Sequence, residues 1–343
     1  METKPGLKKI MITGGHFTAA KAVLNKLDGY EIYYVGRKHS MEGSKALALE
    51  FVDLANRKDI KFLSITAGRL QRKFFVNIGQ SIKALLKFPI GFLQASWWIL
   101  RYHPDAVLSF GGYVALPVVL NAWIFDIPVL THEQTKSTGL ANRIIKLFGT
   151  NVSKAGNPLR EEILTAKIHL TQMVFITGGN QGSKIINETV VEILDVIAKK
   201  YRIVHQTGEW EAPQNVKNYF PSKFFNSNEM ARQLSSAKMI VSRAGANTVE
   251  EVAYLGKPTI FIPIPWSSGN EQEKNAKALV DLGMAEMILQ KDLTGKKLLE
   301  TINKIDKNYD RYVESAYKAK LLVDPRAAEK IAEEVNKVII ENE

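Results

Sequence analysis

Residues 242–276 read SRAGANTVEEVAYLGKPTIFIPIPWSSGNEQEKNA, and this stretch decides the fold. An apolar run at 238–241 feeds the small-residue loop Arg243-Ala244-Gly245-Ala246, and a helix opens at about Asn247. Gly and Ala let a backbone approach a ligand closely. The unpaired N–H groups of the helix's first turn, with its dipole, suit a phosphate. Thr248 shares that turn, and Glu251 lies one turn further on the same face, placed to accept hydrogen bonds from ribose hydroxyls. After a strand at 259–262, Pro263-Ile264-Pro265 stops regular structure. Glu271 and Gln272 then stand at the next helix start, where side chains can meet a sugar. Phosphate, ribose and sugar ligands within one αβα unit describe a nucleotide-sugar site.

Upstream of that stretch, the second half holds a strand at 173–177, the loop Gly178-Gly179-Asn180-Gln181-Gly182-Ser183 and a helix to Lys200. A strand at 201–204 ends in His205-Gln206-Thr207-Gly208. Short elements follow: a strand at 224–225, a helix at 229–236 and a last strand at 286–289. From Thr294 the chain reads helical, with Asp324-Pro325 as a cap and first-turn pair and a stripe of Ile331, Val335 and Ile339.

The first half echoes this pattern. A strand at 8–12 runs into Thr13-Gly14-Gly15-His16 and an Ala-rich helix, then come a strand at 30–35, a helix at 42–55 and a strand at 60–66. A strand at 105–109 leads to Gly111-Gly112-Tyr113, and one at 127–130 to His132-Glu133-Gln134-Thr135. Three polar turns at the carboxyl ends of strands make a ligand-binding edge. Gly156-Asn157-Pro158-Leu159-Arg160 breaks the pattern and marks a linker. The expected fold is α/β, with two Rossmann-like doubly wound domains facing across a cleft, the GT-B architecture. The full GxGxxG fingerprint is absent, so dinucleotide binding is not expected.

With 343 residues the chain can form two full cores. It has no Cys, which excludes thiolate metal sites and fits a reducing compartment. It has no uninterrupted apolar run long enough for a membrane span, and its start lacks the apolar core of a signal peptide. The net charge of +11 calls for an anionic partner. Between residues 60 and 104 stand seven Lys or Arg and no Asp or Glu, interleaved with aromatics. Arg72, Lys73, Phe74, Phe75, Lys83, Lys87 and Phe88 are therefore candidates for contact with an anionic bilayer. No nucleic-acid motif accompanies them, so nucleic acid is not an expected partner.

These strings together resemble family 28 glycosyltransferases, and within that family the bacterial branch that glycosylates a lipid-linked muramyl-pentapeptide. The resemblance covers nearly the whole chain, from Thr13-Gly14-Gly15-His16 through His132-Glu133-Gln134 and Gly156-Asn157-Pro158 to the SRAGA stretch. Thr135, Asn180 and Glu271 depart from the family pattern, where Asn, Ser and His are usual. The resemblance implies transfer of N-acetylglucosamine from UDP-GlcNAc to the C4 hydroxyl of MurNAc in lipid I, with inversion. It also implies peripheral attachment to the cytoplasmic face of the cell membrane. Domains are then expected at 1–155, joined by a final helix at about 324–343, and at 156–323. Two alternatives remain: a glycolipid synthase of the same superfamily, and a non-catalytic nucleotide-sugar-binding subunit.

His16 is the candidate base, since imidazole can take a proton near neutral pH. The donor set is Thr13, Gly14, Gly15, Arg160, Asn180, Gln181, Gly245, Ala246, Asn247, Thr248, Glu251, Glu271 and Gln272. The acceptor set is Gly111, Gly112, Tyr113, His132, Glu133, Gln134 and Thr135, and Gly14 and Gly15 could also cradle the acceptor's diphosphate. No Asp-x-Asp pair occurs, so no metal and no cofactor is expected.

Overall fold

The computed structural model describes residues 7–39, 47–68, 78–134, 140–169, 171–179 and 181–342. The chain forms two compact units, Met1–Pro158 with Arg326–Glu343, and Leu159–Pro325.

The first unit is built on six parallel strands: β1 Lys8–Thr13, β2 Tyr30–Gly36, β3 Ile60–Ser64, β4 Ala106–Ser109, β5 Val129–Thr131 and β6 Thr150–Asn151. Their order is β3-β2-β1-β4-β5-β6. Alternate residues of the buried strands serve opposite faces. Ile10, Ile12 and Leu108 pack with helix Phe17–Leu24 and with Ile331, Val335 and Ile339 of the final helix, Ala327–Glu341. Met11, Tyr33 and Val107 pack on the other face with Ile99, Val118 and Ile145. The final helix is thus part of the first unit's core.

The second unit repeats the plan with β7 Met173–Thr177, β8 Arg202–Gln206, β9 Tyr219–Ser222, β10 Met239–Ser242, β11 Thr259–Phe261 and β12 Ala285–Met287, ordered β12-β11-β10-β7-β8-β9. Phe175, Ile240 and Phe261 face one core. Val174, Val241 and Ile260 face the other.

In each sheet the strand order reverses at one place, between β1 and β4 and between β7 and β10. Backbones diverge there and leave a crevice at the carboxyl ends. The first glycine turn follows β1 and the second follows β4. In the other unit, the Gly178–Ser183 and Arg243–Ala246 turns follow β7 and β10. Sequence and topology therefore put the small-residue loops where a doubly wound sheet binds ligands.

Several boundaries differ from the sequence expectation. The strand expected at 224–225 lies instead at Tyr219–Ser222. Its Pro221 lacks an N–H and argues against a strand, but β9 is an edge strand, where a missing donor is tolerated. Phe225 packs edge-on against Phe175 with centroids 6.0 Å apart. The helix expected at 42–55 spans Leu49–Leu54, and residues 42–46 lie outside the described residues. The last helix starts at Ala327 with Arg326 as its cap, two residues after Pro325.

The basic segment contains a 25-residue helix, Ile78–Tyr102, with Pro89 inside it. Phe88, assigned from sequence to a membrane patch, instead packs against the first unit's core beside Phe92. Arg72, Lys73, Phe74 and Phe75 lie outside the described residues, as does the Lys83 side chain. Lys87 is half-buried.

Candidate active site

In the second unit, two turns at the crevice are locked together by a residue whose role is not legible in the sequence. Arg243 leaves the end of β10 and is buried. Its Nη1 donates to the Ile262 carbonyl at 2.8 Å, and its Nη2 donates to Ser183 Oγ at 2.7 Å and Gln290 Oε1 at 2.8 Å. Burial pushes its pKa down to about 10, so it is still a cation at neutral pH. It joins the two ligand loops from beneath. The signal in the sequence was an Arg wedged between a buried strand and an Ala-Gly turn.

The loop after β7 is equally fixed. The Gly182 φ is +72°, and a Cβ there would stand 2.4 Å from the Thr207 carbonyl oxygen, so only Gly fits. His205, Asn187 and Thr207 hold the facing turn. His205 Nε2 lies 3.0 Å from Asn187 Oδ1, and Asn187 Nδ2 donates to the Thr207 carbonyl at 2.8 Å. Burial lowers the His205 pKa to about 4, so this ring stays neutral and structural. Gln181 is exposed at the loop's tip, and Asn180 lies outside the described residues.

Gly245 caps helix Ala246–Leu255 and has no side chain, so its own position offers no capping oxygen to the first turn. That is the arrangement that holds phosphate oxygens. Gln272 is half committed to the protein. Its Oε1 accepts from the N–H groups of Ala244 at 3.2 Å and Ile264 at 3.1 Å, tying the Pro-rich loop to the phosphate turn. Its amide nitrogen is the part left to meet a sugar. Glu271 opens helix Glu271–Asp281.

Glu251 is buried, 3% exposed, and one of its oxygens takes both Arg160 Nε at 2.8 Å and Arg160 Nη2 at 2.7 Å. The pairing of Arg160 is therefore within the second unit. The guanidinium expected at the diphosphate is thus held on Glu251. Burial raises the Glu251 pKa and Arg160 pulls it back.

In the first unit, the two glycine turns are stitched to each other. The Gly14 φ is +145°, and a Cβ there would meet Phe110 at 2.8 Å. The Gly15 N–H donates to the Gly111 carbonyl at 3.0 Å. The Gly111 N–H reaches Ser109 Oγ at 3.2 Å, and the Gly112 N–H reaches Asn142 Oδ1 at 2.6 Å. Asn142 Nδ2 donates in turn to Glu133 Oε2 at 2.6 Å. The expectation of a main-chain cradle at these glycines is corrected: the N–H groups of Gly15, Gly111 and Gly112 bond within the protein. What the turns offer is a tight, fixed floor. The Thr13 side chain is buried beneath it.

His16 caps helix Phe17–Leu24 by position, and its ring bonds no backbone N–H there. It is half-buried. Burial lowers its pKa below 6.5, against the pull of Glu133. His132 is 1% exposed, and its Nε2 donates to the Gly156 carbonyl at 2.8 Å. That tautomer leaves Nδ1 as an acceptor, and it is buried with no partner among the described residues. The imidazole of His132, expected from sequence at the acceptor, is thus buried and tied to the Gly156 carbonyl. Glu133 and Gln134 are half-buried, and Thr135 lies outside the described residues. Among the described residues no three His, Asp or Glu side chains gather at one point.

Two doubly wound units with paired small-residue turns at their switch points define a sugar-nucleotide transferase of the GT-B class. The glycosyltransferase family 28 N-terminal domain matches residues 13–153, and the family 28 C-terminal domain matches residues 173–334. The chain belongs to glycosyltransferase family 28. A relative from Clostridium perfringens (strain SM101 / Type A) is 31% identical, over 91% of this chain and 94% of its own length. It is named UDP-N-acetylglucosamine--N-acetylmuramyl-(pentapeptide) pyrophosphoryl-undecaprenol N-acetylglucosamine transferase. A relative of the same name from Desulforamulus reducens is 33% identical, over 95% of this chain and 96% of its own length. The crystal structure of MurG from Acinetobacter baumannii superposes with a TM-score of 0.72 at 25% identity, covering 96% of this chain and 99% of that one.

Proposed function

We propose that this chain moves N-acetylglucosamine from UDP-GlcNAc to the C4 hydroxyl of MurNAc in the lipid-linked muramyl-pentapeptide, forming lipid II for peptidoglycan. The observation that carries the reading is the chain-long kinship with relatives of that name, spanning both units. The acceptor's C4 oxygen attacks the anomeric carbon of the donor. Its proton passes to His16, the bond from that carbon to the UDP oxygen breaks, and UDP leaves with the electron pair. The configuration inverts.

The N-terminal turn of helix Ala246–Leu255, which follows Gly245, and the turn after β7 receive the diphosphate, Glu251 takes the ribose, and Gln272 with Glu271 meets the sugar. Incubation with UDP-GlcNAc and a short-chain lipid I analogue should yield the disaccharide product and free UDP. Transfer of glucose or galactose to diacylglycerol, with none to the muramyl acceptor, would overturn the reading in favour of a glycolipid synthase.

Fixed N–H dipoles also make a metal unnecessary in this proposal. Turnover should retain most of its rate in EDTA. Complete loss, restored by magnesium or manganese, would show that a metal neutralises the diphosphate instead.

The acceptor's lipid tail calls for a membrane-facing surface. Among the described residues no helix is long and apolar enough to cross a membrane. The helix Ile78–Tyr102 leaves Leu86, Ile90, Leu93, Trp97 and Leu100 exposed, and their spacing of four and three places them on one face. Exposed Trp123, Ile124 and Leu147 lie on the next two helices of the same unit, where the Trp123 ring stands 5.0 Å from Phe148. Arg101, Arg143 and Lys146 are exposed on the same elements. Apolar insertion contributes about 25 cal/mol per Å² buried, and each cation near an anionic surface about 1 kcal/mol.

The protein should therefore bind vesicles of phosphatidylcholine and phosphatidylglycerol and leave them at high salt. Leu93→Gln with Trp97→Gln should cut that binding at least about tenfold, from lost insertion area. Activity on a short-chain acceptor should be unchanged. Equal vesicle binding by the double variant would remove this face from the account.

A further inference from the structure

The acceptor carries a diphosphate, yet the N–H groups of Gly15, Gly111 and Gly112 are already bonded within the protein. Those three donors are committed, so a cation at that edge would add what they do not supply. Arg37 follows β2, and the β1–β2 register sets Val35 opposite Thr13, so Arg37 emerges level with Gly15. Its Nη1 donates to the Tyr113 hydroxyl at 2.6 Å, and its guanidinium carbon stands 5.4 Å from the Tyr113 ring centroid. Tyr113 belongs to the second glycine turn. The Tyr34 hydroxyl reaches the Gly14 carbonyl at 3.5 Å, and the charges of Glu50 and Arg37 both act on it. One guanidinium therefore touches the second glycine turn and neighbours the first, with its side chain 27% exposed.

We infer that Arg37 binds the diphosphate of the lipid-linked acceptor. The inference rests on the first unit being the acceptor side of the proposed reaction, and it adds a binding residue to that side. A planar guanidinium forks to paired phosphate oxygens, and the hydrogen bond to the Tyr113 hydroxyl positions that fork before the acceptor arrives. Lys cannot reproduce that geometry. The rival role is as counter-ion to buried Glu50, whose Oε1 lies 3.9 Å from Arg37 Nε, beyond hydrogen-bond reach.

The test uses the full chain with its donor site saturated by UDP. Inorganic pyrophosphate is titrated by calorimetry into wild type, Arg37→Gln, Arg37→Lys and Glu50→Gln. Arg37→Gln should weaken binding at least tenfold, Arg37→Lys should restore part of it, and Glu50→Gln should bind as tightly as wild type or more so. In turnover, Arg37→Gln should raise the acceptor KM at least tenfold while kcat and the UDP-GlcNAc KM hold. Wild-type pyrophosphate affinity in Arg37→Gln would overturn the inference. So would equal losses of Tm in Arg37→Gln and Glu50→Gln with an unchanged acceptor KM, which is the counter-ion role. If wild type fails to glycosylate the muramyl acceptor, the proposed function falls, and the pyrophosphate titration still decides the role of Arg37.

Discussion

His16→Ala lowers kcat by about 100- to 10,000-fold, the range expected when a positioned general base is removed. UDP-GlcNAc affinity should stay at the wild-type value, because Glu251, Gln272 and helix Ala246–Leu255 belong to the second unit and His16 to the first. Burial supplies a second signature. The base must be neutral to accept a proton, and burial lowers the His16 pKa below 6.5. The acid limb of the rate profile should therefore fall below the ordinary imidazole range, leaving the enzyme fully active at neutral pH. In His16→Ala that limb should vanish from whatever rate remains.

His132→Ala gives the contrast. This ring is buried and donates to the Gly156 carbonyl, so its loss acts through loop position. It should raise the acceptor KM and lower Tm, with kcat reduced less than in His16→Ala. If His16→Ala turns over near the wild-type rate while His132→Ala is dead, the base is His132.

What the sequence revealed follows from which interactions are local. Gly turns after apolar strands, helix starts and the buried stripe of Ile331, Val335 and Ile339 are properties of neighbouring residues, and they located the loops at both switch points. Side-chain partners came from distant segments and were not legible. Arg243 finds Ser183 sixty residues away, and Arg160 finds Glu251 ninety-one away. An Arg between a buried strand and an Ala-Gly turn marks a special position, but the sequence does not say which loop it braces, because only the sheet order brings β7 beside β10. The membrane segment shows the same limit. Aromatics among cations suggested Phe88, but helical phase decides which apolar residues face outward, and it turned Phe88 to the core and Leu93 and Trp97 to solvent.

The Glu251–Arg160 pair turns a binding prediction into a stability prediction as well. The motif alone suggests that Glu251→Ala weakens UDP binding and leaves the fold intact. In the structure that change strands Arg160, which is 16% exposed and has both Nε and Nη2 on one Glu251 oxygen. Removing one partner of a buried pair leaves an uncompensated charge, so Glu251→Ala should lower stability by about 3 kcal/mol. UDP affinity should fall by a further factor equivalent to about 1.5–3 kcal/mol, as hydrogen bonds from ribose to a charged group are lost.

Arg160→Ala separates the two effects. It leaves Glu251 buried, with burial raising its pKa and no cation to offset the rise. A carboxylate whose folded pKa lies above its unfolded value contributes stability below the unfolded pKa and loses it as pH rises through the folded one. Arg160→Ala should therefore approach wild-type stability in acid and diverge from it toward neutral pH, in denaturant midpoints measured across that range. The double variant should be more stable than the sum of the single losses predicts, by about 2 kcal/mol, because neither charge is stranded. In the Arg160→Ala background, Glu251→Ala should still weaken UDP binding by calorimetry. Equal UDP affinity in those two variants would leave Glu251 as the partner of Arg160 alone and remove it from the ribose.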